Sequence, residues 1–263
     1  MKRTITLLSF AFVLLTGAMN PLFAKGQSAQ QASSTILVAA AASLKNAFDG
    51  QLIPAFKQKY PWITVEGTYD SSGKLQTQIE NGLEADVFMS AATRQMTALT
   101  DSGLVAKDSV KPLLENKIVL IKTAGIATPV SAFENATGAA SIALGDPASV
   151  PAGQYAQEAF TTLGIWDELA AKASFGTNVT EVLNWVGAGS AEVGVVYATD
   201  AASTDKVEII AALPDGILST PVIYPLGMVA ASGHTEEARL FIDFLASEEG
   251  LAIFKTYGFS ANK

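Results

Sequence analysis

From Thr35 onward, short apolar runs alternate with stretches of helical periodicity, and few architectures accommodate that order. Short runs rich in Val, Ile and Ala between helical patterns read as the buried strands of α/β units, a mainly parallel sheet with helices on its faces. The predicted strands are Thr35 to Ala40, Ile63 to Tyr69, Asp86 to Met89, Lys117 to Lys122, Ser141 to Leu144, Glu192 to Tyr197, Val207 to Leu213 and Val222 to Ala230. The predicted helices are Leu44 to Lys59, Lys74 to Gly82, Thr93 to Ser102, Ala152 to Leu163, Val179 to Ala188 and Thr235 to Leu245. Gly50 and Pro54 fall inside the first of these and predict a kink or a split there. Length alone leaves one large α/β domain or two smaller ones open.

Of the 263 residues, 49% are apolar and 16% charged, which excludes a disordered or fibrous chain. Lys plus Arg number 17 against 25 for Asp plus Glu, a net charge of −8 that argues against nucleic acid or anionic lipid as a partner. The sequence has no Cys, hence no disulfide, thiolate nucleophile or thiolate metal site. Its single His removes the main ingredient of most zinc and Ser-His-Asp chemistry.

Residues 1–24 combine Lys2 and Arg3, an apolar run from Ile5 to Gly17 and a polar break ending in Leu22-Phe23-Ala24. That is the pattern of a secretory signal peptide, and the run is short for a membrane span. Cleavage after Ala24 takes the charge from −8 to −10. With no cysteine to carry a lipid, a free periplasmic protein is expected. Residues 25–34 (KGQSAQQASS) are polar and featureless and predict a disordered lead-in.

The predicted strands run at their C-terminal ends into small residues and then into a helix. The first ends Ala39-Ala40-Ala41-Ala42-Ser43-Leu44, which places Ser43 as an N-cap with free backbone N–H groups near it. The second ends Asp70-Ser71-Ser72-Gly73-Lys74. A third loop is Gly145-Asp146-Pro147-Ala148-Ser149-Val150-Pro151-Ala152-Gly153, where Pro151 suits a first helical turn. In Phe175-Gly176-Thr177-Asn178-Val179, Asn178 is a good N-cap and Val179 the first helical residue. Val193 to Asp200 is a buried-type strand ending in Tyr197, whose hydroxyl needs a partner if buried. Each taken singly reads as ordinary capping or core packing. Together they form a donor-rich, cation-poor set that suits a small oxyanion.

Ser71 and Lys74 also spell S-x-x-K, the nucleophile and lysine spacing of serine β-lactamases and penicillin-binding proteins, without the S-D-N and K-T-G partners. An exported serine acyl-transfer enzyme is therefore the alternative from another functional class. His234 lies in a polar turn. Trp62, Trp166 and Trp185 are well separated and read as packing residues, and the carboxylates show no catalytic pairing.

The stretches VAAAASL, SSGKLQTQIENG followed by ADVFMSA, GDPASVPAGQYAQEA, VGVVYATDA and FKTYGF resemble, in order and over the whole chain after the leader, the periplasmic molybdate-binding proteins of ABC importers. That resemblance implies a class II periplasmic-binding-protein fold: two α/β lobes, each a mainly parallel sheet flanked by helices, with the ligand in the cleft between them. The first lobe would comprise residues 35–113 plus 223–263 and the second 114–222, with crossings near Leu114 to Lys117 and Pro221 to Pro225. Carried over by position, the ligand would be held by Ser43 and Ser72 through hydroxyl and backbone N–H, by the backbone N–H of Ala152 and Val179, and by the hydroxyl of Tyr197. The ligand implied is molybdate or tungstate, with no cofactor and no metal beyond the oxyanion itself. The partner implied is a membrane permease, and the protein is expected to be a monomer.

Such a ligand has only acceptors, so neutral donors and helix N-termini satisfy it without Arg or Lys. A protonated phosphate would need an acceptor, which these positions lack, whereas sulfate differs from molybdate only in size and is the alternative ligand. Asp70 departs from the neutral residue expected before the second serine, and strand alternation predicts that it faces away from the ligand as a turn residue.

Overall fold

The computed structural model describes residues 32–262. The leader at residues 1–24, and residues 25–31 of the lead-in, lie outside the described residues. The end of the lead-in is corrected: Ser34 already belongs to the first strand, its N–H donating to Trp62 O at 3.0 Å and its Cα paired with Ile63.

The chain runs β1 (Ser34–Ala41), a helical stretch, β2 (Ile63–Asp70), α3 (Ser72–Glu80), β3 (Val87–Met89), α4 (Thr93–Asp101), β4 (Lys111–Asn116) and β5 (Ile118–Thr123). The helical stretch joins a 3₁₀ turn (Ala42–Leu44), α1 (Lys45–Ala47), a π turn (Phe48–Leu52) and α2 (Ile53–Lys59). There follow β6 (Ile142–Gly145), α5 (Pro151–Thr162), α6 (Trp166–Ala170), β7 (Ala173–Gly176), α7 (Val179–Gly187), β8 (Val193–Tyr197), α8 (Ala198–Ala201) and β9 (Val207–Ala212). The chain closes with β10 (Val222–Met228), α9 (Thr235–Leu245), α10 (Glu248–Thr256) and β11 (Ser260–Ala261).

Each predicted strand and helix is present, with ends shifted by a residue or two. The predicted kink is the π turn, which contains Gly50, while Pro54 sits in the first turn of α2, where its missing N–H costs nothing. Strands β4, β7 and β11 and helices α6, α8 and α10 add to the predicted set.

The strands form two sheets, ordered β11-β4-β10-β3-β1-β2 and β7-β6-β8-β5-β9. Both are mixed rather than mainly parallel. Pairs β1–β2, β1–β3, β6–β7 and β6–β8 are parallel, while β10, β4 and β11 in one sheet and β5 and β9 in the other run antiparallel to their neighbours. The chain passes from the first sheet to the second at Lys117, between β4 and β5, and returns between β9 and β10. Because β4 and β10 are adjacent, with Val222 opposite Asn116, both passages leave the first sheet side by side. Strand interiors such as Ile36, Val38, Ile142, Leu144, Val193 and Val195 are fully buried under the flanking helices.

This topology brings the strand ends that carry the predicted donors to the sheet edges. Parallel strands point their C-terminal ends to one edge, and in open α/β sheets the crevice beyond those ends is where ligands bind. Ala41, Asp70 and Met89 end strands in the first sheet, and Gly145, Gly176 and Tyr197 end strands in the second. The loops carrying the predicted donors are the continuations of these ends.

Candidate functional site

Small side chains at the end of β1 (Ala39, Ala40, Ala41) and directly after β2 (Ser71, Ser72, Gly73) let helices begin at the strand edge. Ser43 is not an N-cap: Ala41 holds that position without a side-chain bond, and Ser43 lies inside the 3₁₀ turn. Its hydroxyl is buried and meets the Tyr224 hydroxyl at 3.0 Å. In the second loop Ser71 is the N-cap, its Oγ accepting from the Lys74 N–H at 3.4 Å, and Ser72 is the first residue of α3. Ser72 is fully buried, and its Oγ accepts from the Ala91 N–H at 2.9 Å, so its own hydrogen remains to be donated elsewhere.

Across from these loops, Ala152 is the second residue of α5 and Val179 the first of α7. Neither amide has a carbonyl four residues back within its own helix, so both are donors left over by helix geometry. Asn178 caps α7 as predicted, accepting from the Glu181 N–H at 3.0 Å. Gly153 packs α5 onto β6 so closely that a Cβ on it would lie 2.0 Å from Gly145 O. Tyr197 ends β8 fully buried, its hydroxyl reaching Ala91 O at 3.4 Å and its ring edge-on to Tyr224 at 5.5 Å between centroids. Burial holds the hydroxyls of Tyr197 and Tyr224 well above the ordinary tyrosine range, so both stay protonated donors.

One connected set results. Ser72 is tied to Ala91, Ala91 to Tyr197, Tyr197 to Tyr224 and Tyr224 to Ser43. The loops of the two sheets also meet directly: Gly73 N–H donates to Ser149 O at 2.9 Å, Gln95 Nε2 to Gln154 Oε1 at 3.2 Å, and Asn178 Nδ2 to Asp70 Oδ1 at 3.4 Å. Asp70 is thus more than a turn residue. Its Oδ1 also accepts from the Ser71 N–H at 2.8 Å and lies 3.4 Å from Lys74 Nζ, so the carboxylate joins the second loop to the start of α7.

Lys74 therefore offers Ser71 a backbone N–H while its amine lies against Asp70, an arrangement that supplies no base to the Ser71 hydroxyl. His234 is exposed, and the three tryptophans are half-buried against the core. Among the described residues no cluster of three or more His, Asp or Glu could hold a metal ion, and no helix is long and apolar enough to cross a membrane.

The sequence reading passed over Ala91, Asn116, Thr199 and Tyr224. Asn116 Nδ2 donates to Thr199 Oγ1 at 2.9 Å and to the Tyr224 hydroxyl at 3.3 Å. Tyr224 lies in a predicted strand, where a tyrosine reads as core, and only the β4–β10 pairing brings Asn116 near it.

Three comparisons bear on this arrangement. A Bacillus subtilis (strain 168) chain, provisionally named an ABC transporter substrate-binding lipoprotein, is 38% identical over 95% of this chain and 95% of its own length. The molybdate-binding protein of Haemophilus influenzae is 36% identical over 88% of this chain and 91% of its own. The solved substrate-binding domain of a provisionally named molybdenum ABC transporter from Clostridium difficile superposes with a TM-score of 0.67 at 36% identity, covering 88% of this chain and all of that one. The family model described as bacterial extracellular solute-binding protein matches residues 36–260, and the chain belongs to that family.

Proposed function

We propose that the protein is an exported receptor that captures molybdate, and tungstate with it, between two lobes (residues 35–113 plus 223–263, and 114–222) and delivers it to the permease of an ABC importer. The observation that carries this reading is that the strand-end loops of the two sheets meet, through Gly73–Ser149, Gln95–Gln154 and Asp70–Asn178, and that the neutral groups assigned to the ligand lie on these strand ends and helix starts: the Ser43 and Ser72 hydroxyls, the Tyr197 hydroxyl, which here donates to Ala91 O, and the Ala152 and Val179 amides, with no Lys or Arg among them. A tetrahedral dianion presents only acceptors, and in a closed, desolvated site local donors outweigh a distant net charge of −8. The Haemophilus relative, named for molybdate, supports the choice of ligand.

On this reading the protein acts as a monomer, has no catalytic step, and is free in the periplasm because the sequence offers no cysteine to carry a lipid. The arrangement of Ser71, Lys74 and Asp70 supports the first of these exclusions against acyl transfer. Ser43→Ala and Tyr197→Phe are each expected to weaken molybdate binding by roughly 1–3 kcal/mol, the scale of a lost bond to a charged acceptor. Titration calorimetry measures this, and wild-type affinity in both variants would overturn the residue assignment.

A further inference from the structure

Gly73 is the second residue of α3, and its φ is not positive, so backbone conformation alone does not call for a glycine there. A helix ordinarily favours alanine over glycine. What excludes a side chain is a turn of the other sheet. The Gly73 N–H donates to Ser149 O at 2.9 Å, and a Cβ on Gly73 would lie 2.5 Å from that oxygen, 2.7 Å from Ser149 Cα and 2.9 Å from Ser149 C. All three are main-chain atoms, so no change of rotamer relieves the overlap. The turn is itself tied down: the Ser149 and Val150 N–H groups both donate to Asp146 O, at 3.0 and 2.7 Å, and the Asp146 N–H donates to Gly176 O at 2.8 Å, at the end of β7. The start of α3 is equally fixed, since Ser72 and Leu75 are fully buried and Ser72 Oγ accepts from the Ala91 N–H at 2.9 Å. A methyl group on Gly73 therefore fits only if the two sheets move apart. At the other end of the same loop, Asn178 Nδ2 donates to Asp70 Oδ1 at 3.4 Å. Residues 70–73 thus hold both the turn before α5 and the cap of α7, the helix starts that carry the Ala152 and Val179 amides.

We infer that Gly73 is a positioning residue for ligand retention: by lacking a side chain it lets the loop at residues 70–73 close on Ser149, and this main-chain clasp sets how long the closed protein keeps its ligand. The Gly73 N–H is already committed to Ser149 O, so the residue acts through the starts of α5 and α7 and not by touching a ligand. The inference rests on the receptor reading proposed above, in which hinge motion makes the contact in the closed arrangement and breaks it in the open one. Such a residue has a signature that a structural one lacks. With the sheets apart, the Ser149 atoms no longer oppose a methyl group, and only the helical preference for alanine remains.

Wild type and Gly73→Ala are compared by thermal unfolding without ligand, by calorimetric titration with molybdate, and by stopped-flow tryptophan fluorescence for its dissociation. The variant is expected to unfold without ligand at the wild-type temperature or above it. It is expected to bind molybdate about tenfold or more weakly, the scale of an overpacked contact, with the loss in faster dissociation. Asp70→Ala is expected to weaken binding too, although removing a negative charge would by itself tighten the binding of an anion. Wild-type affinity and dissociation rate in Gly73→Ala, or tighter binding in Asp70→Ala, would overturn the inference. So would a ligand-free Gly73→Ala that unfolds several degrees below wild type or fails to fold, because Gly73 would then serve the resting fold and not retention. Wild type that binds no molybdate would overturn the receptor reading and the clasp with it.

Discussion

Asp200 is a carboxyl group without a cation. It lies buried in α8, its Oδ2 accepting from the Tyr197 N–H at 3.3 Å, and burial pushes its carboxyl up to about 7 from an ordinary value of 3.8. Since the folded state then holds a proton that the unfolded chain has released, stability falls as pH rises from about 4 to about 7 and is level, for this group, above that window. Asp200→Asn is expected to remove that part of the pH dependence while keeping an acceptor for the Tyr197 amide. Denaturant unfolding across the window measures it, and an equal slope in both proteins would refute the assignment. Several of the proposed site residues stood out in the sequence because they stand where strands break into small residues. Ser43, Ser72 and Tyr197 were of that kind. Tyr224 and Asn116 did not stand out, since nothing local separates a tyrosine bonded to a strand-end serine from one that fills a core, and their contact exists only through strand pairing.

Helix α5 shows why a strand end can serve as a donor site at all. Gly145 ends β6, Val150 precedes the helix, and Gly153 closes onto Gly145, so the first turn of α5 is pressed against the strand it follows. A methyl group on Gly153 would meet backbone atoms at 2.0 and 2.5 Å, which no side-chain rotation relieves. Gly153→Ala is therefore expected to cost about 1–3 kcal/mol of stability by overpacking. It should also weaken ligand binding, since Ala152 moves with the turn. Unfolding and titration of the same sample check both, and wild-type values in each would contradict the packing argument. At this scale the sequence was most legible where the helical period was long, as in α4, α5, α7 and α9, of which α7 also carries a side-chain cap, Asn178. It was least legible in β4, whose KPLLEN carries a proline and three polar residues and forms a strand only because β10 and β11 pair with it. The π turn between Phe48 and Leu52 was visible only as a place where Gly50 and Pro54 disturb a helix.

The whole molecule is organised by two adjacent strands, β4 and β10, through which the chain leaves and re-enters the first sheet. Everything between Ile118 and Ala212 that forms strand belongs to the second sheet, so on the proposed reading hinge motion at those passages would separate the donors of one sheet from those of the other. In this structure the Gly73–Ser149, Gln95–Gln154 and Asp70–Asn178 bonds hold the loops together. The alternation of strand and helix signalled α/β architecture, but the mixture of parallel and antiparallel pairs was not legible, because strand direction depends on which distant segments become neighbours. What the neutral donors are for is decided by calorimetric titration of the protein with molybdate, tungstate, sulfate and phosphate in turn. Tight binding of molybdate and tungstate with no heat from phosphate is the predicted result, and the strength of sulfate competition then reports the size of the cavity. Binding of none of the four would mean that the loops only cap helices, and would contradict the receptor proposed here.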